Sequence, residues 1–270
     1  MRSKKRKKII FLGERKISKI CLEILLSEPF SKVFEIVAIS TNENYYRGAL
    51  SANVLNNEIV YVPNSNKNIK QIEDIIKMYD IDYIISVQHV WILPKRTISL
   101  VNGNAFNLHN GKLPEYKGYN SISHSILNNE KYFYSTIHWM HEKVDSGDII
   151  IEGKIPISNL DTAYGIYIKS LKCIKKIFSQ FLVQLKNNNC NRKKLDQKQG
   201  HFYKKEDLVI FKNLSSQENP FLYSAIIRAS YFPGYEPAYI YNKNKKFYLL
   251  PHTFKNEDQT FANLTEWELN

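Results

Sequence analysis

Asn107 and His109 stand two residues apart at the end of an apolar run, and Asp145 lies in a second segment that also reads as a strand end. Together they place a carboxamide, an imidazole and a carboxylate where a doubly wound sheet keeps its active site. The three groups could serve many acyl-transfer reactions. Imidazole titrates near neutral pH and can accept the proton that an attacking amine loses. Residues two apart on a strand share a side, so Asn107 points with His109 and can donate amide hydrogens to a developing oxyanion. Asp145 can then orient the imidazole and stabilise its cation. Losing one such oxyanion donor costs on the order of 3 kcal/mol in the barrier.

The elements that must position these groups read as an α/β fold with a mostly parallel sheet. Ile9-Ile10-Phe11-Leu12-Gly13 is a short apolar run ending in glycine, as a buried parallel strand does. Ile17, Ile20, Cys21, Ile24 and Leu25 follow at helical spacing. A strand over Phe34 to Ile39 is expected next, then a helix over Ile69 to Tyr79 with Ile72, Ile75, Ile76 and Tyr79 on one face, then a strand over Ile81 to Val87. Asn104 to Leu108 is a strand that delivers His109 at its end. Tyr134 to Trp139 and Gly147 to Pro156 are two more, and a long helix over Thr162 to Leu185 follows, with Asp161 as its cap. Alternation of strand and helix argues right-handed crossovers. Gly13 stands alone, without Gly-x-Gly-x-x-Gly, so a nicotinamide cofactor has no support.

The division expected along the chain is a basic tail (1–7), a catalytic domain (8–186), a polar linker (187–200) and a small C-terminal module (201–270). In that module Asn219-Pro220 starts a short helix. A hairpin runs from Ala238 to Tyr241, through a turn at Asn242 to Lys245, and back over Lys246 to Leu250.

Composition bounds the function. The chain has 270 residues, 43% of them hydrophobic, enough for a proper core. Cys21, Cys173 and Cys190 are scattered, which argues against a disulfide framework and a zinc site and for a reducing, cytoplasmic setting. No apolar run approaches the roughly 18 residues of a membrane span, and no apolar segment backs the basic N-terminus as in a secretory signal. A formal charge of +12 fits an anionic partner, nucleic acid or a phosphorylated small molecule, and equally a lysine-rich background without any basic face. The run Arg2 to Lys8 reads as a solvated tail, with a nucleic-acid arm the lesser reading.

Between the two candidate segments lies Leu113-Pro114-Glu115-Tyr116-Lys117-Gly118, and Asp145 is followed by Ser146-Gly147-Asp148-Ile149. The order Asn-x-His, Leu-Pro-x-Tyr-x-Gly, Asp-x-Gly resembles the signature of the folate-dependent formyltransferases, over roughly Ile81 to Leu185. The resemblance implies a Rossmann-like formyltransferase domain with Asn107, His109 and Asp145 catalytic. It also implies 10-formyltetrahydrofolate as donor, and no metal. The donor's pterin is then expected against Gln88, His89, Val90, Trp91, Ile92 and Leu93 on one side and Met140 to Asp145, including Val144, on the other. A flat heterocycle wants such apolar walls with backbone groups at its edges. His138 and His141 flank Trp139-Met140 without the spacing of a zinc signature and read as core or cofactor-wall residues, and His124 as structural or surface.

For the acceptor, Asn107-Leu108-His109-Asn110 looks closer to the sugar-modifying branch than to the methionyl-tRNA formyltransferases. The region after the linker looks short for the β-barrel those enzymes append, and Phe232-Pro233-Gly234-Tyr235-Glu236-Pro237 resembles a segment of enzymes acting on nucleotide-linked amino sugars. The expected substrate is a dTDP-linked amino-dideoxyhexose, carrying a 3-amino or 4-amino group and destined for a surface glycan such as O-antigen. Tyr231, Phe232 and Tyr235 could stack its base and Lys117 or Arg228 pair its diphosphate, with Tyr119 and Asn120 beside them. The same aromatics could instead pack the small module. Family resemblance implies a homodimer through the C-terminal hairpin, with no nucleic acid or membrane partner. A methionyl-tRNA formyltransferase and a non-catalytic RNA-binding relative stay open as alternatives.

Overall fold

The computed structural model describes residues 5–42, 59–196 and 199–251. Residues 1–4 of the basic tail, 197–198 of the expected linker and 252–270 of the C-terminal module lie outside the described residues. The chain runs β1 (Lys7–Gly13), α1 (Lys16–Leu26), β2 (Phe34–Thr41), β3 (Val60–Pro63), α2 (Ile69–Tyr79), β4 (Tyr83–Val87), α3 (Lys95–Leu100), β5 (Ala105–His109) and β6 (Tyr116–Gly118). It continues with α4 (Ser121–Leu127), β7 (Tyr132–Trp139), β8 (Ile149–Pro156), α5 (Ala163–Lys186), β9 (His201–Tyr203), α6 (Val209–Lys212), α7 (Tyr223–Ser230), β10 (Ala238–Asn242) and β11 (Lys245–Leu249).

Seven strands form one sheet in the order β3-β2-β1-β4-β5-β7-β8. β1 pairs in parallel with β2 and β4, β2 with β3, and β4 with β5, whereas β7 lies antiparallel to β5. Parallel strands covered on both faces lose their polar alternation, and Ile9 to Leu12 of β1 are fully buried. The strand order reverses between β1 and β4, where open α/β sheets leave a crevice outside the strands' carboxyl ends. Gly13 closes that end of β1 tightly. A Cβ there would meet the Ser18 Cβ at 2.5 Å and the Val87 carbonyl oxygen at 2.8 Å.

Helix faces follow the spacing read from the sequence. α1 buries Ile17, Cys21, Leu22 and Leu25, and α2 buries Ile72, Ile75 and Ile76, while Tyr79 at the end of that stripe is exposed. Asp161 is not the cap of α5. Thr162 Oγ1 accepts from the Gly165 backbone N–H, while Asp161 turns back to accept from the Ser158 backbone N–H and pairs with Lys169. Asn219 does cap its short helical turn, accepting from the Phe221 N–H with Pro220 at the first helical position.

Contacts gather the chain into two compact units that are interleaved in sequence. One takes its described residues from 1–109, 136–152 and 174–195, the other from 110–135, 153–173 and 196–270. This differs from the serial division expected, because β7, β8 and α5 each belong partly to both. Two stretches read as unstructured are built into the first unit. Lys7 is already strand and pairs with Asp82, and Arg6 pairs with Glu35. Beyond α5, Lys193 bridges Ile149, the Leu195 N–H reaches Asp148, and Asn188 accepts from the Tyr83 hydroxyl. In the second unit, β6 pairs with β9, and β10 with β11 makes the expected hairpin. Ile126, Phe133, Ile155, Ala163, Ile166 and Ala229 form its apolar centre. No helix among the described residues is long and apolar enough to cross a membrane.

Candidate active site

The catalytic candidates meet in the first unit. Asn107 is the third residue of β5 and His109 its last, so both point to one side. Asp145 lies on the turn between β7 and β8, with a positive φ of 50° that aims its side chain back toward β5. Its Oδ2 lies 3.3 Å from His109 Nδ1, and its Oδ1 lies 3.4 Å from Asn107 Nδ2. His109 is 8% exposed and Asp145 7%. At that distance the carboxylate fixes the orientation of the imidazole ring, as the acid of a base–carboxylate pair does.

Two further residues complete this group, and neither was singled out as catalytic from the sequence. Register places Ser86 of β4 opposite Asn107, and Asn107 opposite His138 of β7. Opposed residues share a face of the sheet, so the three side chains form one row. Ser86 Oγ donates to Asn107 Oδ1 at 3.0 Å, and Asn107 Nδ2 meets His138 Nε2 at 3.2 Å. His138 Nδ1 lies 2.8 Å from the Trp139 carbonyl oxygen, and His138 Nε2 lies 3.5 Å from Asp145 Oδ1. The hint in the sequence was Ser86, set among apolar neighbours in β4; His138 shares β7 with Ser135 and Thr136 and does not stand out there.

Gly147 lets the turn carrying Asp145 lie against the end of β7. A Cβ at Gly147 would sit 1.6 Å from the Trp139 carbonyl oxygen, the group that also holds His138. Gly147→Ala is expected to destabilise the protein by about 2 kcal/mol or more, as overpacking against rigid backbone does. A urea midpoint at unchanged slope measures this, and a midpoint equal to wild type would contradict the packing described.

The expected donor-binding residues occupy the loop after β4 and the turn after β7. Gln88 has a positive φ of 52°, and Val90 and Ile92 are exposed apolar residues. Trp91 and Met140 pack half-buried on the core, and Val144 is half-buried beside Asp145. Leu93 is 1% exposed and belongs to the core cluster with Ile84 and Ile98. His89 packs edge-on to Trp91 and its Nδ1 meets the Trp91 carbonyl oxygen at 3.1 Å. Burial pushes the His89 imidazole down to about 4, with that hydrogen bond opposing, so the ring is neutral at pH 7. Gln88 Oε1, His89 Nε2 and Trp91 Nε1 are buried without a hydrogen-bond partner. Apolar surface edged by unsatisfied donors and acceptors fits a flat polar heterocycle. A cavity of about 350 Å³ lies instead at the opposite ends of β4 and β5, lined by Lys7, Asp82, Tyr83, Phe106 and Cys190 among others, and holds no candidate residue.

The expected substrate residues all lie in the second unit, in two groups. Lys117, Tyr119 and Asn120 follow one another through β6 to the start of α4; Lys117 Nζ donates to the Gln199 carbonyl and Asn120 Nδ2 to the Lys205 carbonyl. Tyr119 is half exposed. Arg228 lies on α7, where Nη1 donates to the Asp161 carbonyl and Nε is buried without a partner; burial lowers its pKa. Tyr231 is buried, at 5% exposure. Phe232 packs edge-on to Tyr164, Tyr167 and Tyr235, and of these expected stacking residues Tyr235 is the one left exposed. His141 and Glu142 are exposed, and His124 is buried under the Tyr203 ring. Among the described residues no cluster of three or more His, Cys, Asp or Glu side chains could hold a metal.

Comparison with known proteins matches the formyl transferase family over residues 7–182. A methionyl-tRNA formyltransferase of Thermotoga maritima is 24% identical over 75% of this chain and 67% of its own length. A GDP-perosamine N-formyltransferase of Brucella melitensis is 26% identical over 63% and 65%. The chain thus spans about two thirds of the length of these relatives. Among solved structures, a 4-N formyltransferase from Francisella tularensis aligns with TM-score 0.74 at 20% identity, covering 90% of this chain and 96% of that one. An N-formyltransferase from Helicobacter canadensis in complex with folinic acid and dTDP-3-aminofucose aligns with TM-score 0.69 at 23% identity, covering 89% and 86%. The fold is the Rossmann-like one these structures share, with a small antiparallel hairpin after it.

Proposed function

This chain belongs to the formyl transferase family, and on that premise we propose that it moves a formyl group from 10-formyltetrahydrofolate to the amine of a dTDP-linked amino-dideoxyhexose, at C3 or C4. The observation that carries the chemistry is the buried His109–Asp145 pair, 3.3 Å apart, beside the Asn107 carboxamide. Such a donor supplies a formyl carbon already bonded to a nitrogen that can leave. His109 takes the proton the sugar amine loses as its nitrogen bonds to that carbon, and Asp145 stabilises the resulting imidazolium. Asn107 presents an amide hydrogen to the formyl oxygen as it gains charge. His109 then returns its proton to the departing nitrogen, which leaves the base ready for another cycle.

Gln88 to Ile92, Met140 and Val144 would hold the donor, for the apolar surface and unsatisfied polar atoms described above. Support for a sugar acceptor comes from the structural relatives named for amino-sugar N-formyl transfer and from the Phe232 and Tyr235 ring pair, with Tyr235 exposed. The methionyl-tRNA formyltransferase reading is favoured by the Thermotoga relative. Incubating the protein with 10-formyltetrahydrofolate, a panel of amino-sugar nucleotides and charged initiator tRNA separates the two. Formylation of a sugar nucleotide, with weak dependence on salt, is the expected result. Formylation of tRNA alone, falling steeply with ionic strength, would overturn the acceptor assignment.

A further inference from the structure

The Asn107 amide can serve an oxyanion only with its nitrogen, not its oxygen, toward the substrate, and a carboxamide has no shape preference between the two. The Ser86 hydroxyl cannot decide this, because it can donate or accept. His138 can. Its Nδ1 faces the Trp139 carbonyl oxygen at 2.8 Å and must therefore carry a hydrogen, so in the neutral ring Nε2 is a bare acceptor. Asn107 meets that atom at 3.2 Å and can do so favourably only through its NH2 group. A flipped amide would set its oxygen against the His138 lone pair and against Asp145 Oδ1, two groups that are 2% and 7% exposed.

We propose that His138, aided by Ser86, is a positioning residue that fixes the rotamer and the O/N orientation of the Asn107 carboxamide. One amide hydrogen is committed to His138. The other makes only a long contact of 3.4 Å with Asp145 Oδ1 and is the one left for a formyl oxygen that comes to lie along it. The order of cause runs from the Trp139 carbonyl to the His138 tautomer, from the tautomer to the Asn107 amide, and from the amide to the developing charge. The kinetic consequence rests on the formyl-transfer reading above, whereas the tautomer does not.

Two variants separate this role from packing. His138→Gln keeps an oxygen near the position of Nε2, and His138→Asn keeps only a group near Nδ1. On whichever acceptor the wild type formylates, His138→Asn is expected to lower kcat about tenfold with both KM values little changed, the size of a lost orienting hydrogen bond. His138→Gln should recover most of that loss, and His138→Asn should cost nothing more in an Asn107→Ala background. Additive losses in the double variant, or equal losses for Gln and Asn, would overturn the proposal. Imidazole nitrogen NMR of the ¹⁵N-histidine-labelled wild type at neutral pH tests it without any substrate. The neutral Nδ1–H tautomer at His138 is expected, and the Nε2–H tautomer or a charged ring would overturn the proposal even if formyl transfer were confirmed. Conversely, no formylated product from the wild type beside an Nδ1–H ring would reject the function and leave the tautomer assignment standing.

Discussion

Replacing His109 by alanine is expected to lower kcat about a thousandfold, within the range that a positioned general base contributes, with the affinity for the folate donor changed only a few-fold. The reason is positional. His109 closes β5 with its Nδ1 held 3.3 Å from a buried carboxylate, so it acts on a proton and contributes little to the walls that bind a heterocycle. The substitution also removes the His109 partner from the buried Asp145 carboxylate, which should lower stability measurably. Turnover measured beside donor binding and a denaturation midpoint checks all of this. Turnover within tenfold of wild type in a folded variant would remove His109 from the role of base.

Asn107→Ala is the second large effect, with kcat expected to fall by about two to three orders of magnitude, the typical cost of deleting one oxyanion donor. Asn107 is bonded on three sides, to Ser86, His138 and Asp145. Its loss leaves two buried polar groups on neighbouring strands short of a partner, at about 1–3 kcal/mol of stability. Asn107→Ser, which keeps a short donor without the reach, should recover stability better than rate. Rate and stability falling in strict proportion across both variants would argue that the residue holds the sheet and does not touch the reaction.

Most of the sheet was legible because parallel strands buried on both faces leave long apolar runs, and β1, β2, β4 and β5 each appear within two residues of where their runs predict. The Asn107, His109 and Asp145 set was legible too, since strand spacing alone puts the first two on one side. Ser86 and His138 were not. Their place depends on the register of β4 against β5 and of β5 against an antiparallel β7, and register comes from pairing between distant segments. The burial of Leu93 and Tyr231 was not legible for a related reason: an apolar side chain outside a helix or strand reads the same whether it is buried or exposed. At the start of α5, Asp161 and Thr162 are both good caps by type, and the Lys169 partner draws Asp161 away. The interleaving of the two units could not be read from the order of elements, because it depends on which strand ends and helix turns pack together in space.

The most direct test follows the formyl carbon itself. With the donor labelled at that carbon and a dTDP-amino sugar in excess, the account predicts the label in an amide on the sugar's amine nitrogen, formed by the wild type and almost lost in His109→Ala. Label recovered as free formate with the sugar unmodified, or label on the sugar at equal rates in both proteins, would contradict it.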